Sequence, residues 1–348
     1  MANSGNSIAF APVWMCSLAL VLPVQAETAP PAARNPGLGI AILASDIGRD
    51  YAVSNLLEVA EAGGFSPVIV DWAWITFHWE RTDFQALRQL VAGLRARKVE
   101  VAAMYRPRFL GTPTVPEQMS ADGAPAANHG RYPCFSSPAA RQWSAHWGEQ
   151  ILNRCPEFDE IVIYNPLDLC QCPACRHVRS NDPYAGIWTF LSEAKHAWQK
   201  NKPTVKLGVV FIADKDFWLR GKNIVDTARP FLVVRDDADM NANLAGILEV
   251  QRILDRRAAA SLAKVTWGAE DTVSLKALAE FNRLASQRGM ASFLWTFDTL
   301  FLSPKYDPPA LAHALGLDYA RLQPSLQRLR QAAEADHSIH PGAVSETK

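Results

Sequence analysis

The chain has 348 residues, 49% of them hydrophobic, and carries 35 basic and 35 acidic side chains. This length and hydrophobic content are enough to bury the core of one large domain or of two ordinary ones. The zero net charge, without any stretch rich in Lys and Arg, argues against a nucleic-acid partner. The 11 Trp residues are many for this length. Because indole rings stack on the apolar faces of sugars, the composition is compatible with a carbohydrate ligand.

The N-terminus has the pattern of an export signal. Residues 13–22 form an apolar run that is too short to span a bilayer, and Pro23–Ala26 then has small residues at the positions that a signal peptidase reads. We predict a signal peptide over residues 1–26 and a secreted or periplasmic mature protein. The run is not preceded by Lys or Arg, so an N-terminus without a targeting role is the alternative. The mature sequence contains no further apolar stretch of membrane-spanning length, and no membrane span is expected in it.

A Pro- and Ala-rich linker is predicted over residues 27–37, and from Leu38 onward short apolar runs alternate with amphipathic helix patterns. The apolar runs are rich in β-forming residues and end in polar side chains. The predicted strands are Leu38–Ala44, Pro67–Trp72, Val99–Tyr105, Glu160–Tyr164, Lys206–Ile212, Phe231–Arg235, Ala263–Trp267 and Ala291–Phe297.

The helical patterns lie between these runs and after the last of them. The predicted helices are Ala52–Ala62, Phe84–Arg97, Pro138–Asn153, Tyr184–Lys200, Phe217–Ala228, Asn241–Ala259, Ser274–Arg288 and Pro308–Leu322. Eight alternating units of this size predict an α/β fold, a (β/α)8 TIM barrel over residues 38–322. A short helix and a disordered tail are expected over residues 323–348. An open doubly wound sheet is the alternative, but the first predicted strand is not followed by a Gly-rich phosphate loop.

The cysteines suggest a metal site in the stretch Glu160–His177. Cys170, Cys172 and Cys175 form a C-x-C-x-x-C motif, and Cys134 follows the long third connection, next to the fourth in a barrel. Four thiolates suit a tetrahedral zinc ion and close its coordination shell, so the predicted zinc is structural. A disulfide is the alternative, because an exported chain meets oxidising conditions. Cys155 is predicted to be a small buried hydrophobe.

This region resembles a known family. The segment Arg131–Arg141 (RYPCFSSPAAR), a helix, a strand ending at Asn165 and the cysteine motif are together similar to the middle of the family 42 β-galactosidases. These are retaining glycosidases with a (β/α)8 barrel, and the likeness covers Arg131 to His177. The resemblance implies that Cys134 and the motif cysteines hold zinc. In that family the fourth strand ends in an Asn-Glu pair whose Glu is the acid/base. This sequence has the Asn, at Asn165, but Pro166 stands in place of the Glu.

Two carboxyl groups are needed to hydrolyse a glycosidic bond. Asp168, just after the fourth predicted strand, is our candidate acid/base. Glu270 lies just past the seventh predicted strand. It is the candidate nucleophile or base, because the clan of (β/α)8 glycosidases that this sequence resembles places its nucleophile on strand seven. Each has a structural alternative: Asp168 could cap a helix or orient the cysteine loop, and Glu270 could stabilise a helix N-terminus.

Other side chains at the predicted strand ends are expected to bind the carbohydrate. Arg106 could bind a sugar carboxylate or pair with Asp71. Asp236 could instead form ion pairs with its neighbours at the barrel rim. The predicted substrate-binding residues are Asp46, Asp71, Trp72, Tyr105, Arg106, Asn165, Asp236, Trp267, Trp295 and Asp298.

The sequence therefore predicts an exported barrel that resembles the glycoside hydrolases, acts on a carbohydrate through two carboxylates and holds a structural zinc ion. One alternative is a carbohydrate-binding barrel without catalysis, because Pro166 stands where the resembling family has its acid. Another is a lyase or isomerase that acts on an acidic sugar through Arg106. A serine hydrolase has no support, since the sequence lacks a G-x-S-x-G motif.

Overall fold

The structure is a computed structural model that describes residues 38–73, 75–108, 115–120, 123–124, 132–166, 170–233, 240–256, 258–263, 274–294, 301 and 306–339. The predicted signal peptide and linker lie outside these residues. Asn35–Lys348 forms one compact unit, and the other unit, Met1–Arg34, also lies outside the described residues. Within the described part of the chain, each helix is too short or too polar to cross a bilayer.

The strands are parallel and close into one barrel in which each strand pairs with its sequence neighbours and β8 pairs with β1. This closure confirms the predicted (β/α)8 fold. The strands are β1 (Leu38–Leu43), β2 (Val68–Trp72), β3 (Val101–Tyr105), β4 (Glu160–Tyr164), β5 (Lys206–Ile212), β6 (Thr227–Val233), β7 (Ala259–Ala263) and β8 (Ala291–Leu294).

Helices surround the barrel, and several begin at a side-chain cap that the sequence encodes. Asp83, Ser137 and Ser274, for example, each accept a hydrogen bond from a backbone N–H of the first helical turn. The helices are α1 (Val53–Gly63), α2 (Ile75–Arg81), α3 (Phe84–Ala96), α4 (Pro138–Arg154), α5 (Pro173–Arg179), α6 (Ala185–Asn201), α7 (Lys215–Gly221), α8 (Met240–Leu254), α9 (Leu275–Gln287), α10 (Pro308–Ala314) and α11 (Tyr319–Ile339).

Successive side chains of each strand point to opposite faces of the sheet, and this alternation separates two apolar regions. Ile69, Met104 and Tyr164 belong to a cluster made only of strand residues, which fills the barrel interior. Their strand neighbours, such as Val70 and Tyr105, belong to the larger cluster shared with the helices. Asp71 lies between two outward-facing residues and therefore faces the interior. We call the end of the barrel at which the strands finish the C-terminal mouth, and the opposite end the N-terminal mouth.

Two strands begin earlier than the sequence pattern predicts. β6 begins at Thr227, four residues before the predicted Phe231, and β7 begins at Ala259 where Ala263 was predicted. Ala and Pro have low β-propensity, and they occur as Ala228 and Pro230 in β6 and as the first two residues of β7. The ladder to the neighbouring strand therefore determines where these strands lie. The predicted helices over 217–228 and 241–259 are correspondingly too long, since α7 ends at Gly221 and α8 at Leu254.

The last helix also differs from the prediction. The predicted helix Pro308–Leu322 is divided between α10, which ends at Ala314, and α11, which begins at Tyr319. α11 continues through Pro324 to Ile339, so the short helix that was expected after Leu322 is part of it. Its Leu326 and Leu329 are buried in the main core, and its Arg328 pairs with Glu58 of α1. Apolar contacts beyond residue 322 therefore attach this helix to the barrel.

An ion pair lies inside the barrel near the N-terminal mouth. The Arg229 guanidinium donates to both carboxylate oxygens of Glu160, at 2.5 and 3.2 Å, and the two side chains are 7% and 12% exposed. The Thr227 hydroxyl donates to the same carboxylate. Gly208 leaves the room for this network, because a Cβ there would lie 2.6 Å from the Thr227 hydroxyl.

Candidate functional site

Charged and aromatic side chains meet at the C-terminal mouth, where β2, β3 and β4 end. Arg106 follows β3 on the same face as Met104, and its guanidinium carbon lies 4.5 Å from the centre of the Tyr164 ring. Burial raises the pKa of Tyr164 well above its usual value, so its hydroxyl stays protonated. The charges of Arg106 and Asp71 also act on Tyr164, which places all three side chains in one neighbourhood.

A second arginine lies beside the first. Arg108 is 7% exposed, and its guanidinium carbon lies 5.2 Å from the centre of the Tyr132 ring. Burial lowers the pKa of Arg108, and the charge of Arg106 lowers it further. The Arg108 N–H donates to the Arg106 carbonyl at 2.7 Å, a tight turn that keeps the two residues together. We call Arg106 and Arg108 the arginine pair.

A buried histidine occupies the adjoining end of β1 and β2. His78 of α2 and Ser45 are both buried, and the Ser45 hydroxyl lies 2.9 Å from His78 Nδ1. The same hydroxyl donates to Asp46 at 2.8 Å. A hydroxyl has one hydrogen to give, so the neutral imidazole donates from Nδ1 to the hydroxyl oxygen. Burial, assisted by the charges of Arg81 and Arg106, lowers the pKa of His78 to about 4.

The His78 pKa makes stability depend on pH. In the unfolded chain the imidazole has its usual pKa of 6.5, whereas in the folded chain it is about 4. Well above pH 6.5 the imidazole is neutral in both states. As the pH falls to about 4, only the unfolded chain takes up the proton, and the free energy of unfolding falls by up to about 3 kcal/mol. We expect the His78→Gln variant to lose this part of the pH dependence in urea titrations at several pH values.

The control is His146→Gln, which changes an exposed histidine of α4. It should keep the wild-type dependence on pH. A wild-type slope between pH 6.5 and 4 in the His78→Gln variant as well would contradict the assignment.

Four cysteines form a second constellation on the same side of the barrel. The Cys134 sulfur lies 3.5 Å from that of Cys175, 3.6 Å from that of Cys170 and 3.9 Å from that of Cys172. All four sulfurs lie within 4.8 Å of one another. A zinc ion with bonds of about 2.3 Å in tetrahedral geometry needs sulfurs about 3.8 Å apart. These four residues, the cysteine cluster, can therefore hold a metal ion.

Hydrogen bonds fix the loops that carry the cysteine cluster. The backbone N–H of Met119 donates to the Cys170 sulfur at 3.4 Å, and that of Cys175 donates to the Cys172 sulfur at 3.4 Å. The Ser136 hydroxyl lies 2.9 Å from the Cys175 sulfur. N–H donors of this kind stabilise thiolates and orient metal ligands.

Cys155 does not belong to the cysteine cluster. It lies buried at the end of α4, as predicted, and its thiol donates to Glu157 at 3.3 Å. Burial, together with this carboxylate, raises the pKa of the thiol to about 12. Cys155 therefore remains a protonated, apolar core side chain.

The cysteine cluster is linked to the arginine pair through one short segment. Residues 115–120 run antiparallel to the segment that contains Tyr132 and Cys134, with backbone hydrogen bonds from Gln118 to Tyr132 and from Cys134 to Pro116, both 2.9 Å long. Tyr132, which contacts Arg108, stands two residues before Cys134. A metal ion at the cluster would therefore stabilise the wall that positions Arg108.

Three of the predicted substrate-binding residues are corrected. Trp72 and Tyr105 face the helices: the Trp72 indole donates to Thr82 at 3.1 Å and the Tyr105 hydroxyl to the Ser144 carbonyl at 2.7 Å. Neither has an exposed ring face, because outward positions of a barrel strand pack against the helical layer. Asp71 faces the interior but is only 1% exposed, so its carboxylate lies below the C-terminal mouth. From there its charge contributes to the raised pKa of Tyr164.

Asp46, Arg106 and Asn165 are half-buried at the C-terminal mouth. Asn165 directly follows β4 and has a φ of 43°, a left-handed conformation that a residue with a Cβ adopts only under constraint. Its backbone N–H donates to the Val210 carbonyl at 2.7 Å, which continues the strand ladder. The remaining predicted residues lie outside the described residues: Asp168, Asp236, Trp267, Glu270, Trp295 and Asp298.

Sequence reasoning missed several members of this site. His78, Arg108, Tyr132 and Tyr164 are not among the site residues predicted from the sequence. The sequence contained one usable signal. Arg106 and Arg108 stand two positions apart just beyond the end of β3, which is the spacing of side chains on one face of an extended chain. The contact between Ser45 and His78 left no comparable signal, because 33 positions separate the two residues.

A cavity of about 340 Å³ lies at the N-terminal mouth, where strands begin. Small residues of β6, β7 and β8 leave this space beside Arg229. Sites of (β/α)8 enzymes lie at the opposite end of the barrel, so the arginine pair and its neighbours form the candidate site. The cavity is lined by Ser66, Pro67, Glu100, Thr227, Ala228, Arg229, Ala258, Ala259, Ala291 and Ser292.

The fold is similar to that of several solved structures. A protein from Bacteroides thetaiotaomicron assigned as an alpha-L-fucosidase matches with a TM-score of 0.50 at 9% identity, over 94% of this chain and 99% of that one. The alpha-galactosidase from Lactobacillus brevis matches with a TM-score of 0.48 at 11% identity, over 88% of this chain. This chain spans 41% of that galactosidase.

The catalytic domain of a chitinase from Pyrococcus furiosus matches with a TM-score of 0.48 at 12% identity, over 85% of this chain and 96% of that one. No family model and no curated protein matches the sequence. At these identities a likeness concerns the fold alone. The chain is a (β/α)8 barrel, a fold that it shares with the structure from Bacteroides thetaiotaomicron.

Proposed function

We propose that this barrel binds a carbohydrate at its C-terminal mouth and hydrolyses a glycosidic bond there. The observation that supports this most is the group formed by Arg106, Tyr164 and Asn165 inside the closed barrel, at the strand ends where enzymes of this fold build their sites. A protonated tyrosine, an amide and a guanidinium offer the donors and acceptors that sugar hydroxyls require. The resemblance around the cysteine motif to the family 42 β-galactosidases favours the same class of reaction.

The proposed mechanism uses two carboxyl groups. Asp168 would protonate the leaving glycosidic oxygen, and Glu270 would attack the anomeric carbon or activate a water molecule. Both follow strands in the chain and would lie on the side of the C-terminal mouth.

We also propose that the cysteine cluster holds a structural zinc ion. The three sulfur separations from Cys134 are 3.5 to 3.9 Å, and all four sulfurs lie within 4.8 Å of one another. These distances suit a tetrahedral ion and are far longer than the roughly 2.05 Å of a disulfide. Four thiolates leave no position for water, so the ion would stabilise loops and take no part in the reaction. Secretion or export to the periplasm, from the predicted signal peptide, belongs to the same proposal.

Hydrolysis of a panel of aryl glycosides and oligosaccharides by the purified protein tests this function. We expect turnover of at least one substrate and a loss of at least about 100-fold in the Asp168→Asn and Glu270→Gln variants. The Glu280→Gln variant is the control, since Glu280 is an exposed residue of α9 that pairs with Arg283. Full activity in the Glu270→Gln variant would refute that role for Glu270.

A carbohydrate-binding barrel without catalysis is the second candidate. Pro166, which is buried after Asn165, offers no carboxyl group at the position where the resembling family has its acid. Binding of oligosaccharides without turnover of any of them would favour this candidate over hydrolysis. A lyase or isomerase acting through Arg106 is the third, and its mark would be unsaturated or isomerised products instead of added water.

A further inference from the structure

A serine hydroxyl contacts the cysteine cluster from a neighbouring turn. The Ser136 oxygen lies 2.9 Å from the Cys175 sulfur, although the two residues are 39 positions apart in the sequence. Backbone N–H groups donate to two other sulfurs: those of Met119 and Cys172 to Cys170, and that of Cys175 to Cys172. The Ser136 hydroxyl differs from these donors because a substitution can remove it.

The direction of the hydrogen bond between Ser136 and Cys175 follows from the chemistry of a metal ligand. A cysteine binds a metal ion as a thiolate, which has no hydrogen to donate. With a metal ion bound, the Ser136 hydroxyl therefore donates and the Cys175 sulfur accepts. A hydrogen bond to an ionised acceptor is roughly twice as strong as one between neutral groups.

The cysteine cluster needs such donors because it is buried. Cys134, Cys170 and Cys175 are each no more than 5% exposed. Four thiolates carry more negative charge than one divalent cation carries positive charge, so the loaded cluster is an anion. An anion removed from water is costly unless hydrogen bonds replace those that water made. Each donor to a sulfur therefore favours the loaded state.

The turn that carries Ser136 is held by contacts of its own. The Ser137 N–H donates to the Cys134 carbonyl at 2.9 Å, which closes a tight turn over the two residues between them. One of these, Phe135, is fully buried and stacks on Phe190 with ring centres 4.8 Å apart. The hydroxyl of Ser136 is thus kept beside the cluster by the barrel's core packing.

We infer that Ser136 is a positioning residue of the metal site, whose hydroxyl donates to the Cys175 thiolate and so strengthens metal binding. This inference rests on the proposed zinc site and does not depend on the reaction at the C-terminal mouth. The competing role for Ser136 is that of a polar turn residue. In that role, removal of its hydroxyl would leave the affinity for zinc unchanged.

Competition for zinc between the purified full-length chain and a chelator of known affinity, under reducing conditions, distinguishes these roles. We expect Ser136→Ala to weaken zinc binding about 10- to 100-fold, the usual effect of removing a group that hydrogen-bonds to a metal ligand. Ser136→Thr keeps the hydroxyl and should retain most of the affinity. Ser137→Ala is the matched control, because it removes the neighbouring hydroxyl, which caps α4, and should leave zinc binding unchanged.

Cobalt(II) bound in place of zinc shows whether the four ligands stay intact. The thiolate-to-cobalt absorption per bound ion should be the same in Ser136→Ala as in the wild type, since no thiolate is lost. A weaker absorption, an unchanged zinc affinity in Ser136→Ala, or an equal loss of affinity in Ser137→Ala would overturn the inference and leave the zinc site intact. A wild-type chain that binds no zinc would overturn both.

Discussion

The Cys175→Ser variant is expected to lose its zinc, from about one ion per purified chain to almost none. Cys175 is fully buried, and its sulfur lies 3.5 Å from that of Cys134, so a hydroxyl in its place removes a thiolate from the centre of the cysteine cluster. Metal binding favours the folded state, and its loss should lower the free energy of unfolding by about 3 kcal/mol or more. Elemental analysis of protein purified without added metal, together with urea titration, measures both effects.

Cys155→Ala is the matched control for this experiment. It removes a buried thiol that lies outside the cysteine cluster, and it should keep the full zinc content even if the core is somewhat destabilised. A wild-type protein that contains no zinc and has oxidised cysteines would contradict the metal assignment and favour a disulfide. So would a Cys175→Ser variant that retains its metal.

A loss of stability of about 3–5 kcal/mol is expected for Glu160→Gln, because the substitution leaves the Arg229 guanidinium buried without its counter-ion. Both partners lie inside the barrel and are no more than 12% exposed, so water in the cavity beside Arg229 replaces the lost carboxylate only in part. Gly208 packs against this network so closely that side-chain rearrangement has little room. Urea unfolding should show a lower midpoint with an unchanged slope.

Glu61→Gln is the control, since it breaks the exposed pair between Glu61 and Arg97, whose atoms are 3.2 Å apart. Exposed pairs contribute less than about 1 kcal/mol. Replacing Glu160 and Arg229 together with apolar residues should recover part of the lost stability, because no unpaired charge then remains. Equal, small effects of Glu160→Gln and Glu61→Gln would contradict the structural role of the buried pair.

Much of the fold could be predicted from the sequence, because the periodicity of apolar residues indicates which face of a helix or strand is buried. Glu160–Tyr164 and Lys206–Ile212 have the predicted boundaries, since their apolar runs are bounded by polar or turn residues. β6 and β7 were misplaced because their first residues are small or include proline, and their positions depend on pairing with neighbouring strands. Local sequence does not encode such long-range pairing.

The candidate site was less predictable than the fold. Three members of the cysteine cluster were identified from their spacing and Cys134 from its place in the neighbouring connection of a barrel, and the structure brings the four together. Trp72 and Tyr105 were misassigned because a residue at a strand end can face either the interior or the helices, and a shift of one position reverses the face. The approach of His78 to Ser45, and of Tyr132 to Arg108, depends on how separate loops pack.

The most direct test of the account is a structure of the protein with an oligosaccharide bound. We predict that the sugar lies at the C-terminal mouth, within hydrogen-bonding distance of Arg106 and Asn165, with Asp168 and Glu270 on opposite sides of one glycosidic bond. In a retaining enzyme their carboxyl groups would lie about 5 Å apart, and in an inverting one about 6.5 to 9.5 Å apart. An oligosaccharide bound in the cavity at the N-terminal mouth, or at the C-terminal mouth without contact to Arg106 or any pair of carboxyl groups, would contradict it.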